Sequence, residues 1–517
     1  MSAVTDYLAA VRANLAQGQA TEHTHRPALQ ALIKSVVGAF RETTRRMADI
    51  DRAVPRLAIG LRLQLPSVKL HPPVMQHETK SIRSLAAALA LVCSGASLAS
   101  AENWPHWRGP FFNGATTETG LPTDFSKTNG VKWVAALPGP SASTPIVWGE
   151  HVFVSSTDRA NKSHVALALD RQTGKVLWRA EVGVGYGWGD NSNFASPSPA
   201  TDGQRAIFLY GNGDLAAFDF RGKQVWARNL QKDYGEFAYN WTYGASPTLF
   251  AGRLYVQVLQ RDVPVHGRGR ADAPIDSFLL ALDPATGREL WRQVRPSDAN
   301  AESHEAYSTP LPFAAGDHTE MLVTGGDCIT GHDPATGKEL WRWGTWDPGR
   351  ISHWRLVVSP VAADGVGLVC APKGGSVYAV KLGLHGALDD ACLAWKSEPK
   401  DASSDVATPL FYQGRFYVLN GERRRLARLE PATGQVDWTG DFEPRSKIES
   451  SPVGADGKIY FQNFRGDVFV VAAGAQFKLL NVVPMGDEGD DQIRSSIVVS
   501  QGDLFIRTNS KLYCVGR

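Results

Sequence analysis

Cysteine is scarce in this chain, and what there is does not cluster. Cys93, Cys328, Cys370, Cys392 and Cys514 are scattered through 517 residues, so neighbours in sequence build neither a zinc-type Cys/His cluster nor a c-type haem attachment motif. An excess of one charge is also missing. Lys and Arg number 54 against 52 Asp and Glu, a formal charge of +2, which leaves no global field of the kind that marks a nucleic-acid or acidic-membrane binder. No apolar run reaches the roughly 18 to 20 residues of a membrane-spanning helix without a small or polar interruption. Neither a Ser-His-Asp spacing nor a phosphate-cradling Gly loop stands out, so no catalytic set is legible from spacing.

What is abundant is turn and plate material: Gly 50, Pro 30 and Trp 15. Much of it falls in one recurring phrase. Leu282-Asp283-Pro284-Ala285-Thr286-Gly287-Arg288-Glu289-Leu290-Trp291 returns almost verbatim as His332-Asp333-Pro334-Ala335-Thr336-Gly337-Lys338-Glu339-Leu340-Trp341. Looser copies run from Asp170 to Trp178 and from Glu430 to Trp438, and a degenerate one from Asp219 to Trp226. Apolar alternation up to Asp, Pro at the second turn position, Thr-Gly to supply a left-handed residue, then alternation through Leu to Trp describes a β-hairpin. The Asp carboxylate can accept from turn N–H groups. The Trp gives each hairpin an apolar plate to bury against a neighbour.

A second signal sets the size of the unit. Small-residue-Pro steps at Thr144-Pro145, Ser196-Pro197, Ser246-Pro247, Thr309-Pro310, Ser359-Pro360, Thr408-Pro409 and Ser451-Pro452 lie roughly 43 to 63 residues apart, the size of one four-stranded propeller blade. The last unit has three strands, at Ile497-Val498-Val499, 503–506 and 511–515, and then the chain ends. Val131-Lys132-Trp133-Val134 carries the repeat's Trp with no strands before it. The expectation is an all-β, eight-bladed β-propeller of four-stranded antiparallel blades, closed by the N- and C-terminal strands and preceded by a short helical extension.

With these hairpins and blade openings, residues 131–517 resemble the pyrroloquinoline-quinone-type (PQQ-like) eight-bladed β-propellers, a superfamily that includes quinoprotein alcohol dehydrogenases and the outer-membrane assembly factor BamB. The arm Trp104-Pro105-His106-Trp107-Arg108-Gly109-Pro110, together with Gly325-Gly326-Asp327-Cys328, looks like a group of secreted bacterial members. The resemblance implies either a binding and assembly platform or a quinone-dependent oxidoreductase. Such enzymes typically clamp PQQ between a Trp and a disulfide of adjacent cysteines and hold Ca²⁺ with carboxylate and amide oxygens. No adjacent Cys pair exists in this chain, so no cofactor is expected, and PQQ with Ca²⁺ belongs to the alternative reading. Cys328, Cys370, Cys392 and Cys514 are either disulfide partners, which secretion would permit, or buried thiols.

Ahead of the arm at 102–130 the pattern differs. Residues 1–74 hold two stretches of helical apolar spacing, around Tyr7 to Leu15 and Leu29 to Phe40. Residues 1–40 also resemble the N-terminus of type ISP restriction-modification DNA methylases, with no methyltransferase motif following. From Met75 to Ala101 a basic start, an apolar stretch of about ten residues and Ala99-Ser100-Ala101 read as an export signal. Its position makes Met75 the expected biological start, with residues 1–74 an over-extended gene model or fusion remnant, and the expected location periplasmic or secreted. A buried core helix is the plain alternative.

The expected site lies in the loops before each Ser/Thr-Pro step, which converge at one end of the channel. Candidate ligand-binding residues are Asn193, Trp241, His304, Glu305, Tyr307, His353, Trp354, Arg355 and Arg494. Asp190, Asn191, Tyr239, Asn240, Asp405, Arg445, Lys447, Glu449, Asp490 and Asp491 complete the ring. A polar funnel with exposed aromatics suits a small molecule or a peptide strand. His304 and His353 are either metal ligands, general bases or solvent-facing. Asp487, Glu488, Asp490 and Asp491 are either a Ca²⁺ loop or a solvated one. Trp241 and Trp354 either stack on a ligand or cover the channel mouth, and Arg355 can pair with Glu305. Val263 to Arg270 reads as a mobile basic loop. The expected partners are an envelope or secreted protein or a small-molecule ligand, with no nucleic acid.

Overall fold

Inner strands that are buried on both faces and outer strands that alternate are the signature of blades packed side by side, and the computed structural model has both. His151–Asp158 and Ser163–Asp170 are buried almost throughout, whereas Val131–Ala136 alternates buried and open. The structure describes residues 102–517 except 190, 191, 317, 345 and 445. The helices expected within 1–74, the export-like segment at 75–101, and Asp190, Asn191 and Arg445 therefore lie outside the described residues.

The described residues form eight antiparallel blades. Blade one is Ile146–Trp148, His151–Asp158, Ser163–Asp170 and Val176–Val184. Blades two to seven occupy 200–229, 248–294, 311–343, 361–396, 410–441 and 453–484. Blade eight combines Val498–Ser500, Asp503–Arg507 and Lys511–Val515 with the early strand Val131–Ala136, which pairs antiparallel with Lys511–Val515. The two ends of the repeat thus share one sheet, and the ring has no frayed terminal edge.

The recurring phrase proves to be an interblade lock. Asp283 Oδ1 accepts from the N–H groups of Ala285 and Thr286 at 2.7 and 3.2 Å, and Asp333 and Asp170 do the same in their turns. Gly287 sits at φ +70°, and a Cβ there would lie 2.6 Å from the ring of Trp226 in the preceding blade. Trp226 Nε1 in turn donates to Pro284 O at 2.9 Å. Trp133, Trp178 and Trp395 dock in the same way, through Arg171 O, Phe220 O and Pro431 O. Blade four departs from the pattern. Blade five has no Thr-Gly turn, so Trp341 donates instead to Glu320 of its own blade at 2.6 Å, and Gly386–Ala387 adds a fifth, parallel strand beside it.

A second lock runs around the axis. The N–H of Thr144 donates to Ser198 Oγ, Ser198 to Ser246, Ser246 to Thr309, and Thr309 to Ser359. Ser359 then donates to Thr408, Thr408 to Ser451, Ser451 to Ser496, and Ser496 back to Thr144, all at 2.8–3.1 Å. The circle closes after eight bonds. It corrects one blade opening: Ser198-Pro199, not Ser196-Pro197, occupies the repeat position in blade two. The eighth member, Ser496, is followed by Ile497 and so carries no Pro for the sequence pattern to find.

Candidate functional site

The arm determines which end of the channel is open. Trp104 pairs with Val147 of blade one, Thr201 N–H donates to Pro105 O, Phe411 N–H to Asn113 O, and Gly454 N–H to Gly114 O. These contacts lie beyond the hydroxyl ring on the innermost strands of blades one, two, six and seven, so the arm crosses that end. Arg108 is inserted with its guanidinium donating to Pro409 O at 3.0 Å and Pro452 O at 3.3 Å. Burial pulls its pKa down to about 9. Gly114 is required beside it, because a Cβ would fall 2.0 Å from Arg108 Nη2. His106, stacked on Phe112 at 4.1 Å, is driven down to about 3 by burial and is neutral at physiological pH.

What remains is a blind funnel of 310 Å³. Trp107 of the arm contributes to it, as do ring residues Ser198, Ser246, Thr309, Ser451 and Ser496. Its wall and rim include Ser192, Trp241, Thr242, Tyr307, Arg355, Glu449 and Arg494. Four of the candidate residues therefore meet here: Trp241, Tyr307, Arg355 and Arg494. Trp241 is 44% exposed, and the Arg355 guanidinium lies 5.9 Å from its ring centroid. Arg494 pairs with Glu449 at 2.5 Å and stands 5.0 Å from the Phe464 ring. Lys447 shares the same Glu449 carboxylate at 2.9 Å.

The other candidates lie outside the funnel lining, and Glu305 braces its wall from behind. Glu305 is fully buried and accepts from Arg261 Nε at 2.6 Å, from the Tyr307 hydroxyl at 2.5 Å and from Asn240 N–H at 3.0 Å. Burial pushes its carboxyl up while these partners pull it down. Tyr307 Oη also accepts from Trp241 N–H at 3.2 Å, so Glu305 fixes the loop that presents Trp241. Arg355 pairs with Glu302 at 3.4 Å rather than with Glu305, which Arg261 already occupies. Asn193 is buried, donating to Pro140 O and accepting from Ala195 N–H. His304 faces Asp262 at 3.6 Å, and burial lowers its pKa. His353 is exposed, and Trp354 is half-buried with its N–H held by Ser303 Oγ. Val263 to Arg270 folds into a hydrogen-bonded turn at Val265 and Arg268, with His266 and Arg268 contacting Asn240.

The donor set does not fit PQQ and Ca²⁺. Cys328, Cys370, Cys392 and Cys514 are free and buried, and none lines the funnel. Glu449, the one lining carboxylate among the described residues, is already shared by Arg494 and Lys447. In the acidic loop, Asp487 is engaged by Lys127 and Lys511 at 2.9 and 2.7 Å, and their hydrogen bonds lower its pKa. Among the described residues no group of three His, Cys, Asp or Glu could hold a metal ion, and no helix is long and apolar enough to cross a membrane.

Trp107, Ser192, Thr242 and the ring hydroxyls are lining residues that the sequence reading did not name as a site. The repeated Ser/Thr-Pro steps marked four of them, Ser198, Ser246, Thr309 and Ser451, as blade openings or their neighbours, and Ser496 has no Pro after it; nothing marked Trp107 as part of a cavity that blades 250 or more residues away help to line.

Comparison with known proteins agrees with this architecture. The family model described as outer membrane protein assembly factor BamB matches residues 115–260, 257–388 and 385–517. A polyvinylalcohol dehydrogenase from Pseudomonas sp is 28% identical over 173 residues, which are 31% of this chain and only 24% of that protein's length. Among solved structures, BamB from Moraxella catarrhalis superposes with a TM-score of 0.52 at 13% identity, covering 74% of this chain and 98% of that one. The quinohemoprotein alcohol dehydrogenase from Comamonas testosteroni gives 0.55 at 14% identity, covering 80% of each. At such identities the structural likeness carries the fold alone.

Proposed function

Because the chain belongs to the family of the outer membrane protein assembly factor BamB, we propose that it is a binding and assembly platform, taking a protein or small ligand at its blind funnel. The observation that carries this reading is the presentation of Trp241: an indole 44% exposed at the rim, with Arg355 over it and Tyr307 and Glu305 bracing its backbone. Aromatic and Arg side chains held in this way are the usual anchors of a recognition surface. The export-like segment ending at Ala101 supports a periplasmic or secreted location, where an envelope or secreted protein would be the partner.

Affinity capture from an envelope extract tests the reading, using wild type and the double variant Arg355→Glu/Arg494→Glu. A partner retained by wild type and lost from the variant is the expected result; equal retention by both would count against the funnel. The local similarity to a polyvinylalcohol dehydrogenase favours a second reading, a PQQ- or metal-dependent oxidoreductase. Saturable dye-linked alcohol oxidation after addition of PQQ and Ca²⁺ would establish that reading and displace the platform.

A further inference from the structure

The hydroxyl ring has a capacity that the blade lock does not use. Each Oγ accepts one N–H from the neighbouring blade, which leaves its own O–H proton to donate. Among the described residues none of the eight hydroxyls has an acceptor for that proton. All eight side chains are more than nine-tenths buried, and those of Ser198, Ser246, Thr309, Ser451 and Ser496 line the funnel. Buried donors without acceptors mark a place where an acceptor binds.

Charge decides which acceptor. Arg355 and Arg494 line the funnel, while Arg108 of the arm is buried outside that lining with its guanidinium on backbone carbonyls. Against these two guanidinium groups the described lining residues offer one carboxylate, Glu449, which Arg494 shares with Lys447, while Arg355 pairs with Glu302 outside the lining. Resting on the platform reading, we propose that the five ring hydroxyls lining the funnel, and not Thr144, Ser359 or Thr408, form a carboxylate receptor. A ligand's terminal carboxylate sits over the ring hydroxyls on the channel axis, with its apolar body against Trp241 and Tyr307. Hydroxyl donors converging on one oxyanion, with guanidinium groups nearby, give the charge-assisted bonds that favour an anion over a neutral acceptor of the same shape. Organic acids and the C-terminus of a peptide share this chemistry, and the 310 Å³ funnel admits a group of about the size of phenylacetate at the low end of ordinary ligand sites.

Isothermal titration calorimetry on the full chain tests this with phenylacetate, 2-phenylethanol, and a tetrapeptide ending in Phe as free acid and as amide. At least one carboxylate is expected to bind about tenfold or more tightly than its neutral counterpart. Phenylacetate alone would identify a small acid as the ligand, and the free-acid peptide alone a chain terminus. Ser359→Ala, a ring position outside the funnel lining, should lower the melting temperature without changing affinity, whereas Ser451→Ala should lower both. Arg355→Gln should weaken binding several-fold with an unchanged melt. Equal binding of acid and neutral ligand, no binding of either acid, or Ser451→Ala behaving as Ser359→Ala overturns the receptor. Capture of a partner with no carboxylate preference would overturn this proposal and leave the platform standing.

Discussion

Replacing Asp327 with Asn is expected to stabilise the protein at pH 8 and to change it little at pH 4. Asp327 stands at φ +55° in the turn between His318–Gly325 and Cys328–His332, only 3% exposed, and both its carboxylate oxygens lack hydrogen-bond donors. Asp347 is buried against it. Burial, with the negative charge of Asp347 adding to it and Arg350 opposing, pushes the Asp327 carboxyl up from 3.8 to about 7. The folded state therefore holds a proton that the unfolded chain releases near pH 4. Stability is greatest below that pH and is lost as pH rises through 7, levelling off above. A difference of about three pK units corresponds to about 4 kcal/mol between the ends of this window. Asn removes the charge, tolerates the left-handed backbone and can donate to Asp347, so about 2 kcal/mol or more should be recovered at pH 8. Isothermal denaturant unfolding of both proteins at pH 4 and pH 8 reads this directly. A variant less stable than wild type at pH 8, or an equal difference at both pH values, would mean that Asp327 holds no such proton in the folded state.

Other positions give equally direct expectations. Ser359→Ala leaves the Thr309 N–H without its acceptor at 2.8 Å and should cost about 1–3 kcal/mol, whereas Ser359→Thr should be tolerated, both checked by thermal melts. Gly287→Ala places a methyl 2.6 Å from the Trp226 ring at φ +70° and should destabilise by about 2 kcal/mol or more, with a shift in tryptophan fluorescence. Trp133→Ala removes the plate that closes blade eight onto blade one and should cost about 3–5 kcal/mol in denaturant unfolding. Arg108→Ala removes the donors to Pro409 O and Pro452 O and should release the arm, seen as faster proteolysis before residue 120 without loss of the blades.

Much of the fold was legible because it is periodic. Asp, Thr-Gly and Trp recur for reasons internal to each hairpin and its neighbour, so Gly287 and Trp226 announce themselves in sequence. Strand pairing across the ends was readable for the same reason: Trp133 is a repeat residue without a repeat. Where two candidates satisfy one local rule, only the ring decides, and Ser198 rather than Ser196 has the reach to Thr144 and Ser246. The site is less legible because its members come from different blades and share no period. Trp241, Tyr307, Arg355 and Arg494 were identifiable as polar or aromatic loop residues. The choice of Glu302 over Glu305 by Arg355 depended on Arg261, which no local spacing connects to either. Trp107 joined the lining only because the arm folds back across the channel.

Hydrogen–deuterium exchange of the full chain, alone and with a partner captured from an envelope extract, tests the central claim most directly. Protection confined to loops at 239–242, 302–307, 353–357, 447–449 and 492–496 around the open end of the funnel is the expected result. Protection on the outermost strands or on the arm's face instead, with those loops unchanged, would contradict it.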